Sequence, residues 1–133
     1  MIPSFDERGY LPPGIHPATL PEIADRLGGP SELRRVQMDS LRWLVDLAQR
    51  VGVARLIVNG SFTTDAWEPN DIDCVLLAAS DFPRDAAALT ELENGLPFLD
   101  VQLVDRVAFD HMTERFFATD RDELPKGMLE VLL

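Results

Sequence analysis

The stretch Val53–Ala78, VARLIVNGSFTTDAWEPNDIDCVLLA, decides the fold. Two short β-branched apolar runs, Val53 to Gly60 and Asp71 to Ala78, flank a polar turn, and each reads as a strand. Alternate strand residues share a face, so Asp71 and Asp73 project together while Ile72 and Cys74 point into the core. Two carboxylates side by side raise each other's pKa unless a cation or several donors offset them. Magnesium suits such a pair, since it is usually held by one or two carboxylates together with substrate phosphates. Gly60 lets backbone approach a ligand closely, and Ser61 opens a segment whose amides can cradle phosphate oxygens. The plainer alternative is that Gly60 and Ser61 leave a strand and cap a helical turn.

The remaining sequence supplies a sheet and its cover. Residues 1–30 are rich in Pro and Gly and read as an arm, with one short helix capped by Thr19 and Glu22 and ended at Gly28-Gly29. A long helix begins near Ser31 and stops at Gly52, with Leu33, Val36, Leu41, Leu44, Val45, Ala48 and Val51 expected on its buried face. PRDAAALTELENG reads as a helix and LPFLDVQLVD as a third strand. RVAFDHMTERFFAT, capped by Asp105, reads as another helix, with Phe109, Met112 and Phe116 at helical spacing, and KGMLEVLL as a fourth strand. Helices alternating with strands predict an α/β (α+β) fold: a small mixed sheet of about four strands covered by helices.

Composition narrows the partners. A chain of 133 residues suits one domain, and 46% hydrophobic with 26% charged residues is globular composition. No apolar run approaches a membrane span and the opening MIPSFDERGY lacks a secretion signal, so a cytoplasmic protein is expected. Cys74 is the only cysteine, which excludes an internal disulfide and points to a buried filler. With 12 Lys plus Arg against 23 Asp plus Glu, the net charge of −11 repels phosphate backbones, so nucleic acid is not the expected main ligand. A basic protein or a cationic small molecule is the partner such a surface attracts.

Other acid pairs lack the same placement. Asp120 and Asp122 lie in the turn-like TDRDELPKG, and Glu91 and Glu93 in a helix, where a two-residue step does not share a face. In FLDVQLVD, Asp100 and Gln102 share one strand face, and Leu99, Val101 and Leu103 the other. If this strand lies beside Asp71–Ala78, Asp100 completes a cluster of three carboxylates; on an edge it simply faces water. His16, in the arm, and His111, on a helix surface, read as structural or solvated. Trp67 reads equally as a stacking platform for a nucleobase or as a loop anchor.

Gly60-Ser61, nine intervening residues, Asp71-Ile72-Asp73 and a later strand acid at Asp100 resemble the nucleotidyltransferase superfamily that includes DNA polymerase beta and the minimal nucleotidyltransferases. The likeness covers about Leu41 to Asp105. FDERGYLPPGIHP and FFATDRDELPKG also look like an uncharacterised group of small bacterial proteins with this domain. The resemblance implies residues 31–133 as one nucleotidyltransferase-like unit behind the 1–30 arm. It further implies magnesium-dependent transfer of a nucleoside monophosphate, AMP foremost, from ATP or another nucleoside triphosphate to a protein, an RNA end or a small molecule. Gly60 and Ser61 would hold the triphosphate. Asp71 and Asp73 would ligate two metal ions during turnover, and Asp100 would ligate the one on the attacking side and receive the acceptor's proton. Small bacterial relatives of this type often belong to toxin and antitoxin pairs. The alternative is a non-catalytic nucleotide- or protein-binding module, such as an antitoxin-like partner. Lys126 is the only lysine, so any further phosphate clamp is expected from arginine; Arg55 flanks the first strand, Arg121 sits near the tail, and neither is assigned.

Overall fold

In the computed structural model, which describes residues 2–116 and 125–133, five strands form one mixed sheet: β1 (Gly14–Ala18), β2 (Val53–Asn59), β3 (Ile72–Ala78), β4 (Leu99–Val104) and β5 (Gly127–Val131). Their spatial order is β1-β5-β2-β3-β4. β2 runs antiparallel to β3 and β5, whereas β3–β4 and β1–β5 are parallel. The strand count is one above expectation because the Pro-rich arm contributes β1. Its GIHPA sequence has no alternating pattern, and pairing with β5 is what makes it extended. The arm is thereby part of the sheet.

The four α-helices among the described residues are α1 (Leu20–Leu27), α2 (Glu32–Val51), α3 (Ala86–Glu93) and α4 (Arg106–His111). Their ends obey local chemistry. Thr19 and Glu22 form a reciprocal capping box at α1, Ser31 caps α2, and Asp85 and Asp105 cap α3 and α4. α2 ends at Gly52, whose φ of 93° is left-handed. The helix expected to continue beyond His111 changes at Met112–Phe116 into a π-helical turn.

The two faces of the sheet are covered unequally. Leu56, Val58, Ile72, Cys74, Leu76, Leu129 and Val131 join the buried faces of α1, α2 and α3 in the main core. On the opposite face, among the described residues, Ile57, Val75, Leu77 and Met128 pack with Phe109, Val104 and Met112, around α4. Strand alternation puts Asp73, Asp100 and Gln102 on this second face.

The first two turns of α2 correct the expected buried stripe. Val36 is 44% exposed, while Arg34 and Gln37 are buried. The reason lies in the loop after β2, whose carbonyls turn toward the helix and need donors. Arg34 Nε and Nη2 donate to Ala66 O, Nη1 to Leu27 O and Phe62 O, and Nη2 to Thr64 O, over 2.6–3.0 Å. Gln37 Nε2 donates to Pro69 O at 2.7 Å. Burial lowers the Arg34 pKa, with the charge of Asp65 opposing that shift. Stepping back by four and then three from Leu41, Leu44, Ala48 and Val51 lands on Gln37 and Arg34, so the helical line itself marks them.

Arg34→Met should leave these carbonyls without a donor and destabilise the fold by about 3 kcal/mol or more. Urea unfolding measures the loss, and amide exchange should quicken first in residues 61–70. A variant as stable as the parent would show that the loop does not depend on Arg34.

Candidate active site

The register of β3 builds the site. Asn59 of β2 is the antiparallel partner of Asp73, and Asp100 of β4 is its parallel partner, so the three residues form one row across the sheet. Asp73 is half-buried within the row, whereas Asp100 is exposed on the edge strand. Asp71 immediately precedes β3 and is exposed. The Asp73 pKa is raised from its ordinary value, first by burial and then by the charges of Asp100 and, more weakly, Asp71, while Lys126 opposes the shift. Folding thus assembles mutual repulsion among the three acids named in the sequence.

Gly60 closes one wall of this site. Its φ is 88°, and a Cβ there would lie 2.9 Å from Asp73 Oδ2 and 3.4 Å from the Asp71 carbonyl. Only glycine lets the carboxylate sit against the chain at this point. Ser61 begins a single 3₁₀ turn, Ser61–Thr63, and its Oγ accepts a 3.1 Å bond from Asn70 N, which ties the two ends of the loop together. In this arrangement Ser61 shapes the loop that delivers Asp71 to β3.

The donor chemistry suits magnesium through two carboxylates plus phosphate. A closed cage of protein ligands is a different matter, for no three His, Cys, Asp or Glu side chains among the described residues are gathered closely enough to hold a metal ion. The in-register Asp73 and Asp100 are the central pair, with Asp71 beside them at the strand entrance.

Lys126 is the residue sequence reasoning passed over. It directly precedes β5, and its Nζ lies 3.4 Å from Gly60 O. Its distance in sequence, 66 residues from Gly60, hid it. Only the β2–β5 pairing brings the two together. Arg55 is committed elsewhere: its guanidinium donates to both oxygens of Glu130 at 2.9 and 2.6 Å and stacks over Phe109. His16 Nε2 bonds the Pro12 carbonyl at 2.6 Å, and His111 is exposed. Cys74 is fully buried, and burial pushes its thiol pKa well up, consistent with filler. Trp67 is 65% exposed in the loop. Asp120, Arg121 and Asp122 lie outside the described residues.

These features define a mixed α/β domain with an acidic row on the less covered face of its sheet and a glycine-walled loop beside it. The chain belongs to DUF6932, a family of unknown function, which it matches over residues 3–132. No curated protein and no solved structure matches it significantly. No helix among the described residues is long and apolar enough to cross a membrane.

Gly60→Ala should cost about 1–3 kcal/mol from its positive-φ, extended-ψ backbone alone and displace the Asp73 carboxylate, read as a lowered unfolding temperature. A neutral outcome would mean that the wall is not tight. The raised Asp73 pKa favours folding while the group is protonated; that contribution is full below the ordinary value of 3.8 and is lost as pH rises through the raised one. With chelator present, Asp73→Asn should therefore raise the unfolding temperature near about pH 7 and leave it unchanged near about pH 3. A drop near neutrality would show that the carboxylate is favourably paired.

Proposed function

We propose that the protein is a magnesium-dependent nucleotidyltransferase that moves a nucleoside monophosphate, AMP foremost, from a nucleoside triphosphate to a protein, RNA end or small-molecule acceptor. The observation that carries this reading is the register pairing of Asp73 with Asp100 directly beside the Gly60 wall. Asp73 and Asp100, with Asp71 beside them at the strand entrance, would hold magnesium two carboxylates at a time together with substrate phosphate oxygens, and the ion when bound would neutralise charge on the entering and leaving oxygens. Gly60 and Ser61 would orient the triphosphate. The acceptor oxygen attacks the α-phosphorus, the bond to the leaving oxygen breaks, pyrophosphate departs, and Asp100 takes the acceptor's proton. Asp100 suits that task because it is the exposed member of the pair.

The net charge of −11 favours a basic protein or a polycationic small molecule over RNA as acceptor. A cytoplasmic setting, where nucleoside triphosphates are plentiful, and a toxin–antitoxin pairing belong to the same proposal. A second reading is a module that binds nucleotide or a partner protein without turnover. It is favoured by the lack of a gathered metal-holding group among the described residues.

The test is incubation with labelled ATP or other nucleoside triphosphates and magnesium, offering an aminoglycoside, a basic protein and an RNA 3′ end as acceptors. Wild type should transfer label, and Asp71→Asn combined with Asp73→Asn should reduce transfer by about a hundredfold or more. Transfer surviving the double substitution, or absent from the wild type with all acceptors, would overturn the assignment. Calorimetric nucleotide binding without product would select the binding module instead.

A further inference from the structure

No residue of β4, the strand that carries Asp100, is buried, whereas β2 and β3 are buried along most of their length. β4 is also an edge: β3 lies on one side, and among the described residues no strand lies on the other. Successive residues of a strand turn their backbone N–H and C=O groups to opposite sides. Ile72 N donates to Phe98 O at 2.9 Å, which directs the backbone of Phe98, Asp100 and Gln102 toward β3. The N–H and C=O groups of Val101 and Leu103, and the carbonyl of Leu99, therefore point outward. Such a row is a template for a further strand. The far edge of the sheet, β1, is blunted by Pro17, but β4, LDVQLV, has no Pro, no Lys and no bulge in its ladder. Its core-side flank is apolar too, with Leu99, Val101 and Leu103 facing Leu89 and Leu92 of α3 across an open groove of about 310 Å³.

We propose that two copies of this chain pair antiparallel along β4, about a twofold axis at Val101, so that Gln102 of each copy meets Asp100 of the other. The sequence of the strand selects both this partner and this register. Centred on Val101, the pairing sets Leu99 opposite Leu103, Val101 opposite its own copy, and Asp100, the only charge in the strand, opposite Gln102. Centred on Asp100 it would oppose two carboxylates, and centred on Gln102 it would set Asp100 against Val104 and Leu99 against Asp105. In the Val101 register, the Val101 N–H donates to the Val101 carbonyl of the second copy and the Leu103 N–H to its Leu99 carbonyl, each twice by symmetry. Asp100 and Gln102 turn their backbones away from the new partner and so form a pair of the closer kind, in which opposite side chains meet. The Gln102 amide donates to one Asp100 carboxylate oxygen and leaves the other for a ligand. A row of acids that repel one another thus gains a donor from the second copy. The pairing does not depend on the nucleotidyl-transfer reading.

Sedimentation equilibrium of the full chain measures the pairing. The wild type should form dimers that tighten as salt is added, because each copy carries a net charge of −11. Leu103→Lys, at a residue 40% exposed, should leave monomers. Gln102→Lys should tighten the dimer and Gln102→Glu loosen it, each by about tenfold, since the change acts at both ends of the symmetric pair. The same two changes at Ile15, on the far edge strand, alter net charge equally and should move the equilibrium much less. Amide exchange reads the edge directly: Val101 and Leu103 should be protected in concentrated solution and lose protection on dilution, while Asp100 and Gln102, bonded to β3, change little. Thermal unfolding separates loss of pairing from loss of the fold, and the Gln102 variants, at an exposed residue, keep the test decisive if Leu103→Lys does not fold. A monomeric wild type would overturn the proposal, as would a dimer in which Gln102→Lys and Gln102→Glu act alike, or Val101 and Leu103 amides whose exchange ignores concentration.

Discussion

The pairing of β3 with unlike neighbours, antiparallel on one side and parallel on the other, is the constraint from which the site follows. It sets Asp73 between Asn59 and Asp100. A slip of one residue in either ladder would turn the carboxylate toward the main core, among Ile72, Cys74 and Leu76, where an unpaired charge is not tolerated. The apolar residues on both sides of Asp73 thus hold the acid in place. Stability of the core and geometry of the site are one problem here.

That register needs the loop between β2 and β3 to be held, and the holding is done from beneath. Arg34 and Gln37 spend the first turns of a long amphipathic helix on the carbonyls of a loop. The loop has little regular structure of its own, only the turn Ser61–Thr63 and the bond from Asn70 N to Ser61 Oγ. Phe62, fully buried and with Arg34 over its ring, anchors it into the main core. Rigid support outside the acidic row is what places Gly60 against Asp73, and the mutual repulsion of the acids is tolerated because the surrounding packing fixes it.

The sheet is lopsided for the same reason. α1, α2 and α3 cover one face, while among the described residues the other is shielded by Phe109 of α4 with Met112 and Val104. The half of the second face beyond α4 carries Asp73, Asp100 and Gln102 in place of apolar residues. Two pairings bring sequence-distant segments to the site: the parallel β3–β4 ladder brings Asp100, and the antiparallel β2–β5 ladder brings Lys126 to Gly60.

Much of this was legible in the linear chain because the signals are local. Alternation in DIDCVLLA and FLDVQLVD assigned Asp73 and Asp100 to one face, although the strand starts at Ile72 and leaves Asp71 outside it, and the caps at Thr19, Ser31 and Asp105 and the stop at Gly52 set helix ends within a residue or so. These depend on chemistry within four residues of each position, which a sequence displays directly. Tertiary structure alone decided the rest. β1 exists because β5 offers it hydrogen bonds, Arg34 is buried because a distant loop presents carbonyls, and Lys126 joins the site because two antiparallel strands align. Each of those outcomes rests on partners tens of residues away, and no periodicity along the chain encodes which segments will meet.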